Sequence, residues 1–163
     1  MEIRKATAED FAAVRQIYSD AQDFMAQSGN PDQWGKKHPP EGLTRTDIEN
    51  GDLFLCVDGD EILGVFFYRE GDDPTYAEIL GGQWLNDAPY AVIHRIAVSK
   101  NGRGRGVAKA CFDYAFSRCQ NLKIDTHRDN IPMQKALAKN GFKYCGIIHT
   151  HNGSERIAFQ KTE

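Results

Sequence analysis

Apolar residues recur along the chain with two periods, near two and near 3.6, and the switches between them divide it into elements. The opening "EIRKA" predicts a first strand. Thr7 then stands before "AED", a capping residue followed by acids as at a helix start. Phe11, Val14, Ile17, Tyr18, Ala21 and Met25 follow at three- and four-residue steps and predict a helix. Gly and Pro in "SGNPDQWGKKHPPEG" end it in a loop, and "LTRTDIEN" predicts a short second helix. "DLFLCV", the turn "DGDE" and "ILGVFFYRE" predict a β-hairpin. Residues 71–89 form a long connection, of the kind that is functional or mobile. "YAVIHRIAV" predicts a strand whose apolar run is broken only by His94 and Arg95. The helix after it turns Val107, Ala108, Cys111, Phe112, Ala115, Phe116 and Cys119 inward and Lys109, Asp113 and Ser117 outward. "LKIDTH" predicts a strand, "NIPMQKALAKNG" a helix closed at Gly141, and "FKYCGIIHT" with "ERIAFQK" a hairpin across "HNGS". The order is βααβββαβαββ, a mixed α/β layer fold expected to form one domain over residues 1–163.

Composition changes this picture little: 40% apolar and 26% charged residues suit a globular chain with a sizeable core. No apolar run approaches the roughly 18 residues of a membrane span, and the polar start "MEIRKATAED" is unlike a secretory signal. Cys56, Cys111, Cys119 and Cys145 form no C-x-x-C pair and sit in apolar stretches, as reduced buried thiols of a cytoplasmic protein would. The net charge of −3 hides an asymmetry. Met1–Tyr90 carries 7 Lys/Arg against 18 Asp/Glu, a net of −11, and Ala91–Glu163 carries 13 against 5, a net of +8.

The basic half contains "SKNGRGRGVAKACF", in which Gly102, Gly104 and Gly106 interleave with Arg103 and Arg105 between a predicted strand and helix. That order presents unpaired backbone N–H groups and the positive end of a helix to an anion, with the arginines adding full charge. A glycine turn with solvated arginines fits the same residues. The Walker pattern fails, because Val107 stands five positions after Gly102. The dinucleotide pattern fails at Val107 and Lys109, and too little chain follows for a doubly wound domain, although Asp125 lies where a ribose-binding acid would. RNA binding by "RGRG" is a weak reading in a net acidic chain.

Arg103-Gly104-Arg105-Gly106-Val107-Ala108 resembles the R/Q-x-x-G-x-G/A signature of the GNAT N-acetyltransferases, and "HRDNIPMQKALAKNGF" is similar to that family's Asn-containing helix ending in Gly-Phe. The element order also matches, over essentially the whole chain. The resemblance implies a mixed, mostly antiparallel sheet flanked by helices and acetyl-CoA as donor. It implies that the backbone from Arg103 through Gly104, Arg105, Gly106 and Val107 to Ala108 holds the pyrophosphate. The strand from Ile96 through Ala97 to Val98 would pair with the pantetheine arm, with Asn130 and Met133 touching the cofactor from the following helix. One position departs from the family: many members carry a tyrosine general acid where this chain has Leu137. That departure keeps a second reading open, a non-catalytic acetyl-CoA-binding regulatory protein.

His94 is the candidate base, expected by strand alternation to share a face with Val92, Ile96 and Val98. A hydrogen-bonded core histidine is the plainer alternative, and Glu78 is the next choice of base. His149 and His151 lack a third ligand, so no metal site is read. Trp34, Glu78, Trp84 and Tyr90, with His38 nearby, lie in or beside the two long loops and are the candidate acceptor contacts; anchoring those loops is the alternative. The acids Asp20, Asp23, Asp32, Asp72, Asp73, Glu78 and Asp87 on that side favour a cationic acceptor, a small-molecule or peptide amine, unless they serve solubility alone. Nucleic acid and membrane are not expected as partners, and a homodimer is left open.

Overall fold

The computed structural model describes residues 1–163. Its strands are β1 (Glu2–Lys5), β2 (Leu53–Asp58), β3 (Glu61–Glu70), β4 (Ala91–Val98), β5 (Asn121–Thr126), β6 (Lys143–His149) and β7 (Glu155–Thr162). Its helices are α1 (Phe11–Gln27), α2 (Glu41–Glu49), α3 (Val107–Arg118) and α4 (Ile131–Lys139). The predicted order is found, with boundaries shifted by a few residues at most. At the start of the first helix, a 3₁₀ turn over Ala8–Asp10 precedes α1, and the Asp10 carboxylate accepts from the Thr7 N–H at 2.8 Å. No helix is long and apolar enough to cross a membrane.

The strands form one seven-stranded sheet in the order β1-β2-β3-β4-β5-β7-β6. Only β4 and β5 run parallel, and they pair only at Ala91–Leu122 and Val92–Lys123 before separating. β2 and β3 are apolar at consecutive positions because both faces of the sheet are covered. Phe54, Cys56, Phe66 and Ile93 meet Val107, Phe112 and Leu137 of α3 and α4 in one core. Leu53, Leu55, Val65 and Val92 meet Val14, Ile17, Tyr18 and Trp34 in the other. Cys56, Cys111 and Cys145 are buried free thiols and Cys119 is half-buried.

The expected alternation along β4 does not survive. Val65 pairs with Ala97 and Phe67 with His94, so Arg95 and Ile96 together face Phe66 in a β-bulge, and Arg95 takes φ +49°. The extra residue reverses the phase of the strand. Ile93 and Ile96 point to the α3–α4 core, whereas Val92 and Ala97 point to the α1 core. His94 therefore keeps the face of Val92, and Ile96 and Val98 pack on the other side.

Of the two expectations for residues 71–89, functional or mobile, the structure bears against the second, because the segment is docked. Tyr76 is buried, Leu80 bridges Ile147 at the free edge of β6, and the Leu85 N–H donates to Gln160 Oε1 at 2.7 Å. Asn121 Nδ2 donates to Asn86, Ala88 and Pro89. At Gly82 a Cβ would stand 1.9 Å from the Cys145 carbonyl oxygen, so the connection lies directly on the β6 backbone. Tyr76, Ile79 and Trp84 pack on the same face of the sheet as α1.

Candidate active site

The site is built around the separation of β4 from β5. Beyond Val92 the β5-side edge of β4 has no strand partner. A cleft of about 890 Å³ opens there. Ile96, Ile124, Thr126, Asn130 and Met133 line it from the sheet and α4, and Trp34, His38 and Asp47 line it from the α1–α2 side. Thr126 is buried and its hydroxyl has no hydrogen-bond partner in the protein.

Further along β4 the chain enters the glycine loop. Gly104 and Gly106 both have φ +76°, a conformation that side chains disfavour by roughly 1–2 kcal/mol, and Gly106 caps α3. The N–H groups of Arg103, Gly104, Gly106, Val107, Ala108 and Lys109 find no acceptor in the protein. Only Arg105 N–H is used, to Gly102 O at 3.2 Å, before Ala110 N–H bonds Gly106 O. A row of free donors at a helix N-terminus is an anion cradle. The arginine side chains turn away from it. The Arg105 guanidinium pairs with Asp58 at 2.8 Å and Glu61 at 3.1 Å, and that of Arg103 lies 4.2 Å over the Phe24 ring. Asn130 caps α4, accepting from the Met133 N–H at 3.1 Å, and donates to Gln33 Oε1 at 2.8 Å. Leu137 is fully buried in the α3–α4 core and presents no proton donor.

His94 stands in the cleft wall with its side chain 23% exposed. Its Nε2–H donates to Asp73 Oδ2 at 2.7 Å, and Nδ1 lies 4.0 Å from Asp125 Oδ2. A carboxylate only accepts, so Nε2 carries a proton, and Nδ1 is left without a hydrogen-bond partner in the protein. Asp73 is itself fixed, since the Thr75 N–H and hydroxyl donate to Oδ1 at 2.9 and 2.7 Å. Burial pushes the Asp73 carboxyl up, but the His94 and Thr75 hydrogen bonds outweigh it and hold the group well below the usual carboxylate range. The Tyr76 hydroxyl donates to Asp125 Oδ2 at 2.7 Å.

The aromatic candidates separate. Trp34 lines the cleft and meets Tyr18 and His38 edge-on. Burial first, then the charges of Arg95 and Arg156, push His38 down to about 4 and keep it neutral near pH 7. Trp84 and Tyr90 do not line the cleft. Their rings hold the Lys123 ammonium, 4.2 and 3.8 Å from the ring centres, and the Tyr90 hydroxyl accepts from the Asp73 N–H. Glu78 is exposed in the docked connection, outside the cleft wall. No group of three or more His, Cys, Asp or Glu side chains is arranged to hold a metal ion.

Arg95, Asp47, Tyr76 and Arg156 did not emerge from the sequence as site residues, and Asp125 entered only at the ribose position of a pattern that failed. Arg95 is stretched from the bulge to a bidentate pair with Asp47 of α2, at 2.8 and 3.1 Å, across the Phe67 ring. Asp73 entered only as one acid among several. "DPT" does signal an Asp that caps a turn, but nothing local says that the turn faces His94.

Comparison places this geometry among known proteins. The acetyltransferase (GNAT) family description matches residues 11–142. A GNAT-family acetyltransferase of Streptococcus agalactiae is similar at 28% identity and TM-score 0.91, over 99% of this chain and 95% of that one. A GNAT-family acetyltransferase of Listeria monocytogenes shares the fold at 20% identity and TM-score 0.72, over 98% and 93% of the two chains. So does a phosphinothricin acetyltransferase of Sinorhizobium meliloti in complex with AcCoA, at 15% identity and TM-score 0.66, over 98% and 86%. No curated protein sequence matches.

Proposed function

Since the chain belongs to the GNAT family of acetyltransferases, whose donor is acetyl-CoA, we propose that it acetylates a primary amine held in the cleft beside His94. The observation that carries this reading is the division of labour along β4. Past the bulge the strand leads to the cradle of free N–H groups; before it, His94 faces the cleft with Nδ1 clear of any hydrogen bond within the protein.

The residues present fit the donor. The free N–H groups from Arg103 to Lys109 would hold its pyrophosphate, and the unpaired edge of β4 at Ile96–Val98 would hold its pantetheine arm. Asn130 and Met133 would border that arm from α4. Bound acetyl-CoA supplies the acetyl group as a thioester. The protein then has to deliver a neutral amine nitrogen. An acceptor amine arrives as an ammonium ion, drawn by a cleft wall that includes Asp32, Asp52, Asp73 and Asp125. His94 Nδ1 takes its proton, and Asp73 stabilises the resulting imidazolium through Nε2–H. Trp34 offers the acceptor an apolar wall; Trp84, Tyr90 and Glu78 act further out, through Lys123, Asp73 and the docked connection.

Thiol release from acetyl-CoA with a panel of amines tests the reading. Turnover that falls about 10²–10⁴-fold in His94→Ala, with acetyl-CoA affinity retained, is the expected result. Acetyl-CoA binding with no thiol release for any amine would instead support the regulatory, non-catalytic reading.

A further inference from the structure

Three arginines line the cleft, and they differ in how their charge is balanced. Arg95 is held by both oxygens of Asp47. Arg69 is exposed to solvent and lies over Phe67. Arg156, on β7, is half-buried, yet it has no partner in any salt bridge of the molecule. Its hydrogen bonds go to two backbone carbonyls, Glu155 O at 2.8 Å and Gln33 O at 3.2 Å. Those bonds fix the guanidinium between β7 and the α1–α2 loop without neutralising it. Burial pulls its pKa down and Asp125 acts in the opposite sense. A cation taken partly out of water and left without a counter-ion is unfavourable unless a ligand supplies one. Arginine also matches a carboxylate better than lysine would, through its planar fork of donors.

We infer that the acceptor amine carries a carboxylate on the same molecule, bound by Arg156, so that the substrate is an amino acid rather than a simple amine. The inference rests on the proposed acetylation of an amine at His94. The cleft then reads a molecule of both signs. Its ammonium end meets the Asp73–His94–Asp125 side, and its acid end meets Arg156, with Ser154 in the same wall. A polyamine satisfies the first group and places a further positive charge near the second.

The test measures kcat/KM by thiol release for a set of amino acids, each beside its carboxamide and its decarboxylated amine. The expected result is a preference for the carboxylate member of about 10- to 100-fold, as a charge-assisted hydrogen bond confers, with the preference largely lost in Arg156→Gln. Arg156→Lys should keep part of it, which separates loss of charge from loss of the fork. Melting curves and acetyl-CoA titration of both variants show whether fold and donor binding persist. A wild-type enzyme that turns over carboxamides or decarboxylated amines as well as the acids overturns the inference and leaves amine acetylation standing. An acid-to-amide ratio unmoved by Arg156→Gln overturns it too. Turnover of no member of the set overturns both readings.

Discussion

Replacing Asp73 by Asn should disable His94 without displacing it. In the native site Asp73 Oδ1 accepts two hydrogen bonds from Thr75, and Oδ2 accepts the His94 Nε2–H at 2.7 Å. Thr75 donates both times, so it requires an oxygen at its end of the side chain. The Asn amide therefore places its oxygen toward Thr75 and its NH₂ toward His94. An NH₂ group can only donate, so Nε2 must become the lone-pair nitrogen and the proton moves to Nδ1, the atom that faces the cleft. Two losses combine. The imidazolium loses a charge-assisted hydrogen bond worth about 1.5–3 kcal/mol, or roughly 10- to 100-fold in rate. The base also sits in the wrong tautomer, which takes the total toward the 10²–10⁴-fold typical of a lost general base. Steady-state thiol release at saturating acetyl-CoA should show this in kcat, with donor affinity by calorimetry unchanged. His94→Ala added to Asp73→Asn should then cost little more than either change alone, since the two act as a unit. A variant within threefold of wild-type kcat, or one whose loss is shared by acetyl-CoA affinity, would refute the reasoning.

Five other changes probe the remaining parts. Gly82→Ala would drive a Cβ to 1.9 Å from the Cys145 carbonyl oxygen, so the connection should lift from β6; protease cleavage within residues 71–89 should rise and kcat fall as Asp73 loses its footing. His38 is held at about 4 against an ordinary 6.5, so between those values the unfolded chain binds a proton that the fold refuses. Stability should therefore fall as pH drops from about 6.5 to about 4, and the slope of melting temperature against pH should flatten in His38→Gln. Leu137→Tyr enlarges a fully buried side chain, and chemical denaturation should show a loss of about 1–3 kcal/mol with no gain in turnover. Arg105→Ala should change acetyl-CoA affinity by less than about threefold, because its guanidinium is occupied by exposed Asp58 and Glu61. Gly106→Val, forced to φ +76° beside the free N–H row, should abolish measurable binding by calorimetry.

Much of the fold was legible because its signals are local. Apolar periods, the Asn130 cap and the Gly–Arg turn each announce themselves within a dozen residues. The row of unpaired N–H groups, the proposed donor loop, was legible for the same reason, since glycine spacing reveals such a backbone arrangement. The acceptor side was not. The bulge at Arg95 depends on how β3 and β4 pair, and one extra residue sent Ile96 and Val98 to the face opposite His94. Trp84 and Tyr90 looked like acceptor contacts because they are aromatic and lie in a long loop. Their partner, Lys123, is more than 30 residues away in sequence. Asp73, Asp125 and Arg156 come from three separate segments, and only the folded sheet brings them to one cleft.

The phase reversal in β4 turns His94 and Ile96 to opposite faces of a single strand. On the proposed reading, His94 before the bulge serves what receives the acetyl group, and the strand after it leads to what delivers it. Because the proposed delivering side is a row of backbone N–H groups, a lineage, or a designer, can rework side chains on the receiving side while that row stays as it is. The Arg95–Asp47 clamp is the hinge pin of that arrangement. It fixes the one backbone position at which a single strand changes allegiance from one chemistry to the other.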